Sequence, residues 1–299
     1  MNVFDLHCDT VYRCLKENLD ITDNELDFGA SFEPDGVRGQ FFAAFIPDEL
    51  CGMHATEFAN KLIDEFYLQT EKHQDLFSEK PKTGKITPLL SIENASALGG
   101  DIKNIDRFKG RGVKMMTLTW NGENELGYGS KCKGHLKSFG KEVVRRMYKA
   151  GMAVDVSHLN DEGFYDVIDM GSGPVCASHS SSRAVFEHER NLTDRQFSLI
   201  KDSGGIVGLN FADSFLCEGQ SGIEDVFRHA EHFLSIGGEN VLCIGSDFDG
   251  AKMPYGVKGY DGLRSVYEYF INHGIPKKTA DKIFFENAAA FFGLHIANE

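Results

Sequence analysis

Short, nearly continuous apolar runs alternate along the chain with longer segments in which apolar residues recur at helical spacing. Continuous rather than alternating hydrophobicity is typical of parallel strands that are covered on both faces. The runs predict eight strands, at Val3–His7, Phe41–Ile46, Thr87–Glu93, Val113–Trp120, Ala153–His158, Pro174–His179, Gly205–Phe211 and Val241–Asp247.

The segments between these runs predict helices. The amphipathic stretches are Glu57–Phe77, Lys137–Ala150, Glu162–Met170, Asp194–Asp202 and Glu224–Ile236. Asn160 and Thr193 are of the residue types that cap helix N-termini, and each stands close to the start of such a stretch. Residues 11–40 are irregular, with a loop rich in Asp, Gly and Glu where a crossover helix is expected.

Repeated alternation of strand and helix, without a break in composition, predicts the α/β class and a closed (β/α)8 TIM-like barrel rather than an open sheet. Such barrels take about 250 residues as one unit. The chain has 299 residues, so we expect residues 1–299 to form a single domain.

Charge and composition narrow the classes of partner. The chain has 45 acidic and 31 basic residues and a formal net charge of −14. Such a surface repels phosphate and anionic lipid, so neither nucleic acid nor a membrane is expected as a partner.

We find no signal-peptide pattern and no apolar stretch of membrane-spanning length. Seven cysteines without a CxxC pair indicate free thiols, and we expect a cytoplasmic protein, with a homodimer left open.

The residues best suited to chemistry stand where predicted strands end. They are His7 and Asp9 at the first strand, Glu93 at the third, His158 at the fifth, His179 at the sixth and Asp247 at the eighth. The carboxyl ends of all strands open on one face of a barrel. Imidazoles and carboxylates converging there predict a site for two divalent metal ions, which zinc suits best, with manganese, cobalt or iron as alternatives. Each residue alone has a plainer explanation as a loop or capping residue, and it is their joint placement that favours a metal site.

These residues lie in motifs that resemble the membrane (renal) dipeptidase family of the metal-dependent amidohydrolase superfamily. The motifs are residues 5–10 (DLHCDT), 36–42 (GVRGQFF), 91–95 (SIENA), 118–121 (LTWN), 138–144 (SFGKEVV), 155–158 (DVSH), 178–181 (SHSS), 190–194 (RNLTD) and 245–250 (GSDFDG). The last five, in this order and spacing, are specific, whereas any one alone is weak.

The resemblance implies a metal-dependent dipeptidase. Its substrates would be dipeptides with a free carboxyl-terminal carboxylate, including some with a D-residue at that end, and a metal-bound hydroxide would attack the peptide carbonyl. In the family pattern His7 and Asp9 bind one metal ion. His158 and His179 bind the other, and Glu93 bridges both.

The resemblance also implies roles for residues that do not bind metal. Arg190 would contact the substrate carboxylate, and Asp247 would transfer protons. Trp120 stands where the family often has a histidine that polarises the scissile carbonyl, and an indole N–H donates one hydrogen bond but carries no positive charge. Phe215 stands where some members have a substrate-binding tyrosine, and it lacks that hydroxyl, but neither departure touches the predicted metal ligands.

Two other interpretations stay open at this point. One is another amidohydrolase on the same barrel, such as a deaminase, a lactonase or a phosphotriesterase. Many of those bridge their metal ions with a carboxylated lysine, and no strand-end lysine competes with Glu93 here. The other is a non-catalytic barrel that keeps the metal site and serves as a binding or regulatory protein.

Overall fold

A closed barrel of parallel strands forms the centre of the molecule. The computed structural model describes residues 1–23, 25–28 and 36–294. Within these ranges the strands pair in chain order from β1 to β8, and β8 pairs with β1. They are β1 (Val3–Asp5), β2 (Val37–Phe45), β3 (Lys85–Glu93), β4 (Val113–Thr117), β5 (Ala153–Asp155), β6 (Val175–Ala177), β7 (Ile206–Asn210) and β8 (Leu242–Gly245). The prediction of a (β/α)8 barrel is confirmed.

Helices follow the strands and surround the barrel. In the described part of the chain they are α1 (Thr10–Glu17), α2 (Gly52–Lys72), α3 (Asn104–Gly110), α4 (Ser138–Ala150), α5 (Asp161–Asp169), α6 (Asp194–Asp202), α7 (Ile223–Ser235), α8 (Gly259–Asn272), α9 (Lys277–Asp281) and α10 (Asn287–Phe292). Short 3-10 turns span Ala95–Leu98 and Asp213–Phe215, and a π-helical turn spans Lys282–Glu286. None of the helices described is long and apolar enough to cross a lipid bilayer.

Alternate strand residues enter two different apolar clusters, as the period of a strand requires. Val3 and Phe42 belong to the larger cluster, which the strands share with the helices. Phe4 and Phe41 belong to a smaller cluster that also contains Phe285 from the carboxyl-terminal segment. That segment covers the amino-terminal side of the barrel, since Phe285 lines one cavity with residues 1 and 2, which directly precede β1. The carboxyl ends of the strands are left to form the site.

Several strands end earlier than predicted. His158 and Asp247 were expected as final strand residues, but β5 ends at Asp155 and β8 ends at Gly245. His158 has φ 68° and Asp247 has φ 64°, in the left-handed region that is incompatible with a strand. Residues of this kind held in strained backbone are concentrated at functional sites.

The irregular segment 11–40 was predicted as a loop, and in part this is wrong. Helix α1 occupies Thr10–Glu17, and β2 begins at Val37 rather than at Phe41. Positions 24 and 29–35 of this prediction lie outside the described residues. Both predicted caps are confirmed, because the Asn160 side chain accepts a hydrogen bond at the start of α5 and the Thr193 side chain does so at the start of α6.

Candidate active site

The six predicted strand-end residues meet at the carboxyl end of the barrel, and all six are buried. The Nε2 atom of His7 lies 3.3 Å from Asp9 Oδ2 and 3.5 Å from Glu93 Oε2. The same nitrogen lies 3.9 Å from Oδ1 of Asp247. Three carboxylates therefore converge on one imidazole nitrogen away from bulk water, an arrangement that requires compensating positive charge.

The second carboxylate oxygen of Glu93 faces two further imidazoles. Glu93 Oε1 lies 2.9 Å from Nε2 of His158 and 3.7 Å from Nε2 of His179. The Nε2 atoms of His158 and His179 are 2.9 Å apart. Glu93 thus stands between His7 on one side and this histidine pair on the other, with one oxygen directed to each.

Hydrogen bonds assign the tautomer of the histidine pair. His158 Nδ1 lies 2.9 Å from the amide oxygen of Asn121, which only accepts, so Nδ1 carries the proton. His179 Nδ1 lies 2.7 Å from the Ser178 hydroxyl, which donates its own proton to Asp155 and so accepts from the ring. Both Nε2 lone pairs therefore point at each other, which is repulsive unless they share a cation.

The electrostatics of the pocket fit metal ligation as well. Burial lowers the pKa of His158 and of His179 well below the usual value, so both stay in the neutral, metal-binding form. Burial also lowers the pKa of His7, but the carboxylates of Glu93 and Asp9 outweigh it, and the net pKa is raised. Among the described residues Asp9 Oδ1 is buried without a hydrogen-bond partner. The nitrogen and oxygen donors present fit divalent cations, and zinc, manganese, cobalt and iron all accept such a set.

Asp155 fixes the strand ends that carry the histidine pair. Its Oδ1 accepts backbone N–H bonds from Ser157 at 2.9 Å and Ser178 at 3.0 Å. Its Oδ2 accepts hydroxyl bonds from Thr117 and Ser178. Since Ser178 also contacts the His179 ring, Asp155 orients that ring through a single serine.

Asp5 does the same on the other side of the barrel. Its Oδ1 accepts backbone N–H bonds from His7 at 3.3 Å and Ser246 at 2.8 Å. Its Oδ2 accepts the Ser246 hydroxyl at 2.6 Å and the Gln40 amide at 3.1 Å. Our sequence analysis gave Asp5 and Asp155 no role. The signal present was an aspartate two or three residues before a ligand histidine.

Arg190 lies beside this cluster in the segment between β6 and α6, as predicted. It is 6% exposed and hence not a surface arginine. Its Nη2 donates to the backbone oxygen of His179 at 3.2 Å, and its guanidinium carbon lies 5.4 Å from the Phe215 ring centroid. Its Nε atom is buried without a hydrogen-bond partner within the described ranges. Burial lowers the pKa of Arg190, and the carboxylates of Asp247 and Glu93 oppose that effect.

Asp247 faces the pocket with one oxygen and is held by the other. Its Oδ2 accepts the Asn210 amide at 3.1 Å, which leaves Oδ1 directed at His7. Burial raises the pKa of Asp247, with the neighbouring Asp9 carboxylate acting in the same direction and His7 against it. A carboxylate of raised pKa is better suited to exchange protons near neutral pH.

Trp120 lies after β4 at the edge of the cluster and is half-buried. Its ring centroid is 6.3 Å from that of His158 and 5.0 Å from that of Phe45. The structure therefore brings all eight predicted site residues to one end of the barrel. Asp249 lies in a turn after β8, where its carboxylate accepts hydrogen bonds from Thr10 and from the backbone of Asp27 and Phe28.

The comparison with known families decides the class of protein. Residues 1–292 match the family model described as membrane dipeptidase (peptidase family M19). The chain belongs to the membrane dipeptidase family. The resemblance read from the motifs is confirmed, and with it the prediction of a metal-dependent dipeptidase as the enzyme class.

Other members of the membrane dipeptidase family and its neighbours are similar over much of the chain. An uncharacterized dipeptidase of Schizosaccharomyces pombe is 32% identical over 222 residues, which cover 71% of this chain and 52% of that protein. An uncharacterized Klebsiella pneumoniae protein is 30% identical over 223 residues, covering 70% of this chain and 82% of that protein.

Solved structures extend the match to the whole barrel. A dipeptidase called AC, a metallopeptidase of family M19, superposes with a TM-score of 0.84 at 27% identity, covering 98% of both chains. A metallopeptidase from Rhodobacter sphaeroides, bound to a phosphinate mimic of L-Ala-D-Ala, superposes with a TM-score of 0.83 at 25% identity, covering 98% of this chain and 99% of that one.

Proposed function

We propose that this protein hydrolyses the peptide bond of dipeptides that carry a free carboxyl-terminal carboxylate, including dipeptides with a D-residue at that end. One observation carries the proposal. The ligand atoms of His7, Glu93 and His179 lie within 4.8 Å of one another, and Arg190 is buried beside them. The ligand of the Rhodobacter sphaeroides relative, a mimic of L-Ala-D-Ala, supports this substrate class.

In this proposal His7 and Asp9 hold one divalent ion and His158 and His179 hold the other. Glu93 would provide one carboxylate oxygen to each ion, because its oxygens are directed to opposite sides. Zinc is the ion that the mixed nitrogen and oxygen donors suit best. When bound, the pair of ions supplies a nucleophilic hydroxide at neutral pH and polarises the substrate carbonyl.

The remaining chemistry belongs to the protein's own side chains. Asp247 Oδ1 accepts the proton of the attacking water and passes it to the leaving amine, while Asn210 holds Oδ2 in place. Arg190 binds the substrate carboxylate through the guanidinium N–H groups that have no hydrogen-bond partner among the described residues, while Nη2 donates to the backbone oxygen of His179. Trp120 lines the substrate side of the pocket near His158.

Three expectations from the sequence accompany this proposal. The protein acts in the cytoplasm, its partner is the small dipeptide rather than nucleic acid or a membrane, and residues 1–299 form one domain.

A hydrolysis screen tests the proposed function. The protein is stripped with a chelator, reloaded with zinc or manganese, and assayed on L-L, L-D and D-D dipeptides beside their carboxyl-terminal amides. Free acids are expected to be cleaved and the amides to be poor substrates, since only the acids pair with Arg190. Equal cleavage of acid and amide would refute the proposed dipeptidase specificity. The protein would then still be a metal-dependent hydrolase, but of another substrate class.

A further inference from the structure

We infer that the active site selects dipeptides whose amino-terminal residue has a large apolar or aromatic side chain, through an aromatic wall formed by Tyr12, Phe45 and Trp120. This inference rests on the proposed function and names the substrate class within it.

The three rings of the aromatic wall form a continuous contact chain. The ring centroids of Phe45 and Trp120 are 5.0 Å apart with planes at 67°, and those of Tyr12 and Phe45 are 5.1 Å apart with planes at 71°. Edge-to-face contacts at these distances hold each ring in a fixed orientation. A rigid surface made mostly of ring carbons favours apolar and aromatic side chains that can cover it.

Both ends of the aromatic wall reach the metal-binding cluster. The Trp120 ring is 6.3 Å from the His158 ring. At the other end Tyr12 follows Asp9 by three residues on α1. Burial raises the pKa of the Tyr12 hydroxyl, and the negative charge of the Asp9 carboxylate raises it further. The Tyr12 hydroxyl therefore lies within the electric field of this proposed metal ligand. The wall therefore meets the cluster at Trp120 and continues through Phe45 to α1, the helix that Asp9 directly precedes.

The aromatic wall and Arg190 lie on opposite sides of the barrel mouth. Phe45 ends β2, Trp120 follows β4 and Tyr12 lies on α1, which follows β1. Arg190 instead follows β6 and contacts Phe215 after β7. A dipeptide that places its carboxylate at Arg190 and its peptide carbonyl at the cluster extends its amino-terminal residue away from Arg190. The side chain of that residue then meets the wall.

The three rings are half-buried, so each keeps ring surface that a ligand can still cover. Apolar pockets discriminate by about 10- to 200-fold for each methylene of difference. A wall that is open on one side discriminates less strongly between side chains than a closed pocket does. We therefore expect a preference of about 10- to 100-fold in kcat/KM for Phe or Leu over Ala at the amino-terminal position.

Steady-state kinetics of the zinc-loaded protein test the position of the preference. Phe-Ala and Leu-Ala are compared with Ala-Ala, and Ala-Phe and Ala-Leu with the same reference. The preference over Ala-Ala is expected for Phe-Ala and Leu-Ala, in which the large side chain is amino-terminal. It should become smaller in Phe45→Ala. Phe215→Leu is the matched control, because it alters an aromatic residue on the Arg190 side and should leave the amino-terminal preference unchanged. Equal kcat/KM for Phe-Ala and Ala-Ala would overturn the inference while leaving the dipeptidase proposal intact.

Fluorescence gives a readout that does not depend on turnover. The chain has 1 tryptophan, so Trp120 alone supplies the indole emission. Titration with uncleavable phosphinate dipeptides should change that emission. The phosphinate with Phe at the amino-terminal position should bind at least about 10-fold more tightly than the one with Ala there. If no dipeptide is cleaved but this difference holds, the proposed function fails and the wall stands. Equal binding of the two forms, or no change in emission, would overturn the wall.

Discussion

Asp5 and Asp155 make the same set of hydrogen bonds on opposite sides of the barrel. Each is the last residue of its strand, and each accepts a backbone N–H from two residues further on. Each also accepts the N–H and the hydroxyl of a serine beyond a neighbouring strand. Those serines directly precede a site residue, since Ser178 precedes His179 and Ser246 precedes Asp247. Each buried aspartate therefore fixes two strand ends of the active site at once.

One of the two serines contacts a proposed ligand ring and the other does not, and this allows a comparison. The Ser178 hydroxyl contacts the His179 ring, whereas the hydrogen bonds of the Ser246 hydroxyl within the described residues go to Asp5 and to backbone atoms of His7 and Phe248. Ser178→Ala should weaken binding of one metal ion by about 10- to 100-fold, because a ligand histidine loses the partner that orients it. Ser246→Ala should weaken metal binding much less. Competition with a chromophoric chelator measures both, and equal losses in the two variants would contradict the orienting role of Ser178.

Glu93→Gln should reduce the metal content at both sites, because a neutral amide bridges two cations poorly. His158→Ala should empty chiefly one site, since Asp9 and His7 remain on the other side of Glu93. Elemental analysis after dialysis should give near two equivalents of metal for the parent protein and near one for His158→Ala. One equivalent or none in active parent protein would defeat the two-ion proposal.

Arg190→Met should leave metal content and the thermal midpoint nearly unchanged while hydrolysis of free dipeptides falls steeply. The charged carboxylate loses its partner in a partly desolvated pocket, at a cost of about 2–5 kcal/mol. The decisive measurement is the ratio of kcat/KM for a dipeptide and its carboxyl-terminal amide. Arg190→Met should lose most of the preference for the acid, and an unchanged ratio would assign the carboxylate to another residue.

His229 should make the protein less stable as the pH falls. It is buried between the backbone N–H of Ser182 and the backbone oxygen of Leu216, and burial lowers its pKa from 6.5 to about 4. A base with a lowered folded-state pKa contributes stability that is complete above the unfolded value and is lost as the pH falls toward the folded value.

The expected loss between pH 6.5 and about 4 is about 3 kcal/mol. Urea unfolding of the parent protein and of His229→Gln at several pH values measures it. The difference in unfolding free energy between the two proteins should shrink through this window as the pH is lowered. A constant difference would show that His229 does not titrate there.

The metal cluster could be predicted because its residues obey a local rule. His7 and Asp9 are two residues apart at one strand end, and Glu93 ends another, so the barrel alone dictates that they meet. The strand boundaries at His158 and Asp247 could not be predicted, since His and Asp enter the left-handed region more often than most residues but do so at few positions, which no sequence pattern marks.

Trp120 was predicted as a site residue, but the other two rings of the aromatic wall and the two aspartates were missed for a different reason. Tyr12, Phe45 and Trp120 end or follow different strands, and only the closed barrel brings their rings together. In the sequence Tyr12 and Phe45 are ordinary apolar residues near a strand end. Asp5 and Asp155 read as part of the motifs that surround the histidines, and their bonds to neighbouring strands depend on a register that no local pattern specifies.

The pairing of β1 with β8, which closes the barrel, brings together residues that are far apart in the sequence. Asp5 pairs with Ile244, and the N–H of Asp247 bonds to the backbone oxygen of His7. Contacts of such large sequence separation form late, because the whole intervening chain must be ordered first. A ribosome-bound chain that lacks β8 thus has His7 and Asp9 without Asp247. The five proposed metal ligands all precede β8, so such a chain already holds every ligand and lacks only the side chain proposed to transfer protons. The last strand to join therefore supplies the catalytic group rather than the metal site.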